Sequence, residues 1–150
     1  MKSVSRLLLS CATISAVFLA ACGGDAITTT PDSLSGVYAA AVFATTPSGA
    51  QTTDQKALGG FIDIILNDNG TTTGQLHTAA ANGSPAFDAS MAGTWSVMGT
   101  KVRFAQPADT FMNDMVFTVA SATGASGKTL TGDFTSGGTR IQVTLVKPAQ

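Results

Sequence analysis

After residue 33 no stretch keeps an apolar repeat of helical period. The chain returns instead, eight times, to short runs in which apolar and polar or small residues alternate. Successive side chains of a strand point to opposite faces, so each such run is a strand with one buried face. Val37-Tyr38-Ala39-Ala40-Ala41-Val42-Phe43 is the first. The second, 61–66, sets Ile62, Ile64 and Leu66 on one face and Asp63 on the other. Asn67-Asp68-Asn69-Gly70 follows, rich in residues that tolerate the positive φ of a hairpin turn. Residues 71–78 return, a weaker strand because Gly74 interrupts it. Residues 91–97 alternate large with small, Gly99 turns the chain, and Lys101-Val102-Arg103-Phe104 alternates charge with apolar. Residues 115–119 form the sixth run and 122–127 a loose turn. A last hairpin, 130–134 and 140–146, bends at Ser136-Gly137-Gly138.

Consecutive antiparallel strands pair with their neighbours. An eight-strand meander keeps two exposed edges unless its first strand meets its last. The expected fold is therefore all-β, an antiparallel up-and-down meander closing into a small eight-stranded barrel. A two-sheet β-sandwich is the alternative. The inward set is Ile62, Ile64, Leu66, Leu76, Trp95, Val97, Val102, Phe104, Met115, Phe117, Val119, Leu130, Phe134, Ile141, Val143 and Leu145. A chain of 150 residues holds one such domain.

The first residues read as an address. Lys2 and Arg6 precede an uncharged stretch, 7–20, too short to span a bilayer and of secretory length. Leu19-Ala20-Ala21-Cys22 then resembles the lipobox of bacterial lipoproteins. The resemblance implies a signal peptide over 1–21, cleavage before Cys22, and lipidation of Cys22 by diacylglycerol with a further acyl chain such as palmitate. Two or more chains anchor durably. Gly23 follows the cysteine, and Asp25 comes later. By resemblance to enterobacterial sorting signals this favours the periplasmic face of the outer membrane over inner-membrane retention. Cys11 lies within the discarded segment, so the mature chain has no second thiol for a disulfide. Residues 22–33, Gly-, Thr- and Pro-bearing without periodicity, read as a tether, and 34–147 as the barrel domain.

Leu34-Ser35-Gly36-Val37-Tyr38 opening this domain, Gly93-Thr94-Trp95 in its middle and the closing Ile141-Gln142-Val143-Thr144-Leu145 are similar to small bacterial lipocalin-like domains. The resemblance covers 34–147 in pattern and implies a barrel. It departs in carrying Gly-x-Trp on about the fourth strand, whereas lipocalins proper carry it on the first, and no ligand is carried over.

Connections of an up-and-down barrel alternate between its ends. Residues 45–58, 79–90, 107–112 and 136–138 share one end; 67–70, 98–100 and 122–128 share the other. The first group holds the longer loops and marks the expected mouth. Phe87, Phe111 and Met112, with Trp95 below, are the ligand-binding candidates, for a small apolar ligand. If the barrel is filled by its own side chains, Phe87, Phe111 and Met112 seal it, and its loops or outer face meet an envelope protein instead.

The chemistry for catalysis is sparse. His77 is the sole histidine, and no Gly-x-Ser-x-Gly elbow accompanies it. Asp88, Asp109 and Asp114 lie in or beside the mouth loops without a spacing that implies convergence. The 67–70 segment fails as a calcium loop, since Ile65 and Leu76 would fall at ligand positions. No zinc set, phosphate loop or cofactor motif is present. Charged residues make up only 11% of the chain, and every acidic residue is Asp. After cleavage six basic residues face nine Asp, a balance of −3 that excludes nucleic acid bound through charge. The expectation is a non-enzymatic, lipid-anchored binding or interaction module without cofactor or metal.

Overall fold

The computed structural model describes residues 29–121 and 127–147. The signal segment 1–21, Cys22 and most of the expected tether lie outside the described residues. The domain is all-β. Ten strands form one sheet: β1 (Gly36–Pro47), β2 (Thr53–Asp54), β3 (Phe61–Leu66), β4 (Thr71–Thr78), β5 (Phe87–Ser90), β6 (Gly93–Met98), β7 (Lys101–Ala105), β8 (Phe117–Ser121), β9 (Lys128–Ser136) and β10 (Thr139–Val146). Every pairing is antiparallel. The order β1-β3-β4-β6-β7-β8-β9-β10 closes on itself through β10–β1, giving a barrel of eight strands. The expected closed meander is what forms, and the sandwich is not. Of the two extra strands, β2 pairs with β1. β5 and β6 pair with β4 in one continuous register and act as a single strand interrupted at Met91-Ala92.

The strands follow the alternation of the sequence. Ile62, Ile64 and Leu66 of β3 are buried while Phe61, Asp63 and Ile65 face out. One register shift matters. Between Ala40 and Val42 the β1–β10 pairing gains a residue in β1, a β-bulge. The side-chain phase flips there, so Tyr38 and Phe43 are both buried although an odd number of positions separates them. Tyr38, Phe43, Leu34, Met91 and Met112 thus join a core that strict alternation did not assign to them, and Val97, Phe134 and Ile141 pack at its margin.

The interior is filled. Phe104 and Phe117 meet edge to face, with ring centroids 5.2 Å apart. Inward glycines receive large neighbours: a Cβ on Gly132 would lie 2.2 Å from Met115 Sδ, and one on Gly93 2.4 Å from the Ala105 carbonyl. Both ends are also plugged. Residues 31–33, expected as the end of a tether, form with Leu34 a single helical turn, α1 (Pro31–Leu34). Leu34 is fully buried, and its carbonyl accepts a 2.8 Å bond from the Tyr38 hydroxyl. At the other end a second turn, α2 (Phe111–Asp114), lies where a loop was expected, and the next strand starts at Phe117. Met115, expected to begin that strand, caps the turn and is buried.

Candidate functional site

Two ends of the barrel can be told apart. The chain enters at α1. Beside it lie the 67–70 and 98–100 turns and residue 147, whose ammonium bonds to the Ser35 carbonyl. This is the tether end. The 48–52, 79–86 and 137–138 connections lie at the other end and touch one another: Ser48 N–H donates to the Gly138 carbonyl at 2.7 Å, and Asn82 Nδ2 donates to Thr53 Oγ1 at 2.8 Å. The expected grouping of connections therefore holds for these described loops. Most of the 122–128 turn lies outside the described residues.

The four ligand-binding candidates do not converge on an opening. Trp95 is 6% exposed and sits at the tether end. Its backbone N–H donates to the Gly70 carbonyl and its indole Nε1 to the Asn67 carbonyl, at 2.9 and 2.8 Å. The Gly-Thr-Trp segment opens β6, with Trp95 beside the β3–β4 turn. Met112 is fully buried in the core, and Phe111 packs on Phe43 with centroids 5.8 Å apart. Both belong to the plug. Buried polar bonds latch that plug over Met91: Gln106 Nε2 and Thr72 Oγ1 donate to the Met91 carbonyl at 3.2 and 2.7 Å. Asn113 Oδ1 accepts from the Gln106 N–H at 2.8 Å. Phe87 alone stands free, 46% exposed on the rim.

The plug leaves part of the mouth open, and there the structure forms a cleft of about 270 Å³. It is lined by Thr45, Pro47, Gln55, Thr78, Ala79, Ala81, Asn82, Ser84, Pro85 and Thr139. Thr45, Thr78 and Thr139 are strand-end residues continuing the inward parity of β1, β4 and β10. Gln55, 4% exposed, joins the walls. Its Nε2 donates to Thr45 Oγ1 at 3.1 Å and its Oε1 accepts from the Ala79 N–H at 3.0 Å. Asp54 Oδ1 fixes the turn behind it by accepting from the Lys56 and Ala57 N–H groups at 2.9 and 3.2 Å. Asn82 holds a positive φ of 50°, uncommon for a residue with a side chain. None of these lining residues was singled out from the sequence. The signal available was the parity of the strand ends together with uncharged polar loops.

His77 faces outward. It lies directly opposite Asp88 in the β4–β5 register, with Nδ1 2.8 Å from Asp88 Oδ1, and its ring stacks on Phe61 at 5.7 Å. A shallow groove of about 300 Å³ over Gln75, Asp88 and Ser90 runs beside it. The carboxylate orients the imidazole, but among the described residues no nucleophile is bonded to its other nitrogen. No group of three His, Cys or Asp side chains converges among the described residues either. No family model matches the chain, and no curated protein matches it.

Proposed function

We propose that this is a non-enzymatic lipoprotein of the bacterial envelope, held to the periplasmic face of the outer membrane through lipidated Cys22. Its barrel is a solid scaffold, and its working surface is the mouth end. The lipobox Leu19-Ala20-Ala21-Cys22 supports the anchor. The observation that carries the rest is the filled interior: Met115 on Gly132, Phe104 on Phe117, and Leu34 and Met112 sealed at opposite ends. An apolar ligand needs an enclosed apolar volume, and these side chains occupy the space in which it would lie. A lipocalin-like resemblance then extends to architecture and not to carriage of an apolar molecule.

Two measurements test this reading. Mass spectrometry of organic extracts of natively purified protein is expected to find the N-terminal lipid and no stoichiometric second apolar compound; finding one overturns the solid-barrel reading. Cys22→Ser is expected to move the protein from the membrane to the soluble fraction, and unchanged fractionation overturns the anchor.

A further inference from the structure

We infer that the mouth cleft binds a neutral saccharide. This deepens the reading of the mouth as the working surface and rests on it. The lining carries hydroxyls (Thr45, Thr78, Ser84, Thr139), two amides (Gln55, Asn82) and no charged side chain. Each kind of ligand meets that lining differently. An anion finds no cation among the lining residues, and the adjoining Lys56 and Arg140 are engaged elsewhere, with the Ala41 carbonyl and Asp133. A wholly apolar ligand would strip water from hydroxyls and amides and give nothing back, which is costly. A neutral molecule dense in hydroxyl groups pairs with them.

Gln55 is placed for this role. It is nearly buried, and each end of its amide makes one bond within the chain. An amide has two donor hydrogens and two acceptor lone pairs, so a donor and an acceptor remain for adjacent hydroxyls. The Thr139 hydroxyl makes no side-chain bond among the described residues. Pro47 and Pro85 add apolar walls against which the C–H face of a sugar ring can rest. The volume of about 270 Å³ lies just under the roughly 300 Å³ at which small-molecule pockets begin, so only part of a disaccharide is enclosed. An extended peptide is the other neutral, amide-bearing candidate; its strand-addition mode needs a free sheet edge, and the cleft lining is made of strand ends and loops, with β2 and β5 edges outside it. The mouth of a closed barrel presents strand ends. The walls are also prearranged: Thr46 bonds Thr52 at 2.8 Å, Asn82 bonds Thr53, and Gln55 bonds both Thr45 and Ala79. Little ordering is then left for the ligand to drive.

The test titrates the full mature chain in detergent micelles with N,N′-diacetylchitobiose and with cellobiose, followed by amide NMR. An N-acetylated, C-amidated tripeptide of alanine is the comparison. Saturable shifts confined to residues 45–55, 78–85 and 139 with at least one disaccharide are expected. Thr139→Val conserves shape and removes one hydroxyl; it is expected to weaken binding roughly fivefold, the worth of one hydrogen bond, without changing thermal stability. Gln55→Ala is expected to weaken binding further. The proposal is overturned if neither disaccharide gives saturable shifts, if the shifts fall elsewhere, if the tripeptide binds as well, or if Thr139→Val leaves affinity unchanged. None of these outcomes bears on the lipid anchor or on the filled interior, whose tests are separate.

Discussion

Tyr38 is the only tyrosine of the chain, and burial pushes its phenol from 10.0 up to about 12. The folded state therefore holds the proton more tightly than the unfolded state. The associated stability is fully present below pH 10, the unfolded value, and is lost as pH climbs through 12. Tyrosinate absorbance should report this one residue, rising only at the top of that window and together with unfolding. Tyr38→Phe should abolish the alkaline transition and lower stability at neutral pH by about 1 kcal/mol, the bond to Leu34 being lost. Gly74 makes the opposite case, a residue whose importance lies in what is absent. Its φ is +136°, and a Cβ there would lie 2.1 Å from the Asp63 carbonyl oxygen. That contact is with backbone and cannot yield. Gly74→Ala should cost roughly 3 kcal/mol or more, read as a fall in denaturation midpoint. From the sequence this glycine looks like a weak point in its strand. In the barrel it leaves room for the Asp63 backbone of β3, and β4 runs unbroken through it.

Elements were legible where alternation was strict and obscured where phase or chain direction changed. β3, β4, β7 and β10 alternate without a slip, and their inward residues could be read directly, from Ile62 to Leu145. β1 could not be read so, because nothing in a run of three alanines marks which one is the bulge, and the inward set took no residue from this strand. α2 was hidden for another reason. Four residues are too few to show a helical period, and the turn is held by bonds between the Asn113 amide and the Gln106 and Ala108 backbone. The cleft was hidden by chemistry: its threonines and amides carry no motif, and only closure of the barrel brings β1, β4 and β10 to one rim. Two elements lend themselves to test. The Trp95 side chain joins β6 to the 67–70 turn at the tether end, so Trp95→Ala should cost about 3–5 kcal/mol in chemical denaturation followed by circular dichroism. A small loss would mean that the indole is not part of the core. Gln55→Ala removes two bonds that hold the β2 loop over the mouth. It should raise proteolytic cleavage within 48–60 severalfold while lowering global stability by only about 1–2 kcal/mol; equal protection of that loop would deny Gln55 its clamping role.

At the scale of the molecule, the barrel has a direction. The chain enters beside Leu34, the 67–70 and 98–100 turns lie at that end, and the clamped loops lie at the other. β4, eight residues long, runs from one end towards the other. At about 3.3 Å per residue and a barrel tilt of about 35–45°, the ends stand roughly 20 Å apart. On the proposed lipidation, only nine residues separate Cys22 from the helical turn at Pro31, a length over which a random coil would span roughly 17 Å. The anchored protein should accordingly rest with its tether end toward the lipid and its mouth outward. If the signal segment is cleaved and Cys22 acylated as proposed, the chain keeps no free thiol, and this orientation can be measured with single cysteines. Thr100→Cys labels the tether end and Ser84→Cys the mouth, both at exposed positions. With the acylated protein in vesicles that carry a headgroup quencher, a fluorophore at 100 should be quenched more strongly than one at 84. Equal or reversed quenching would mean that the barrel lies on its side or turns its mouth to the membrane. In that arrangement the cleft would meet lipid headgroups instead of the aqueous periplasm, and a soluble saccharide would lose its route of approach.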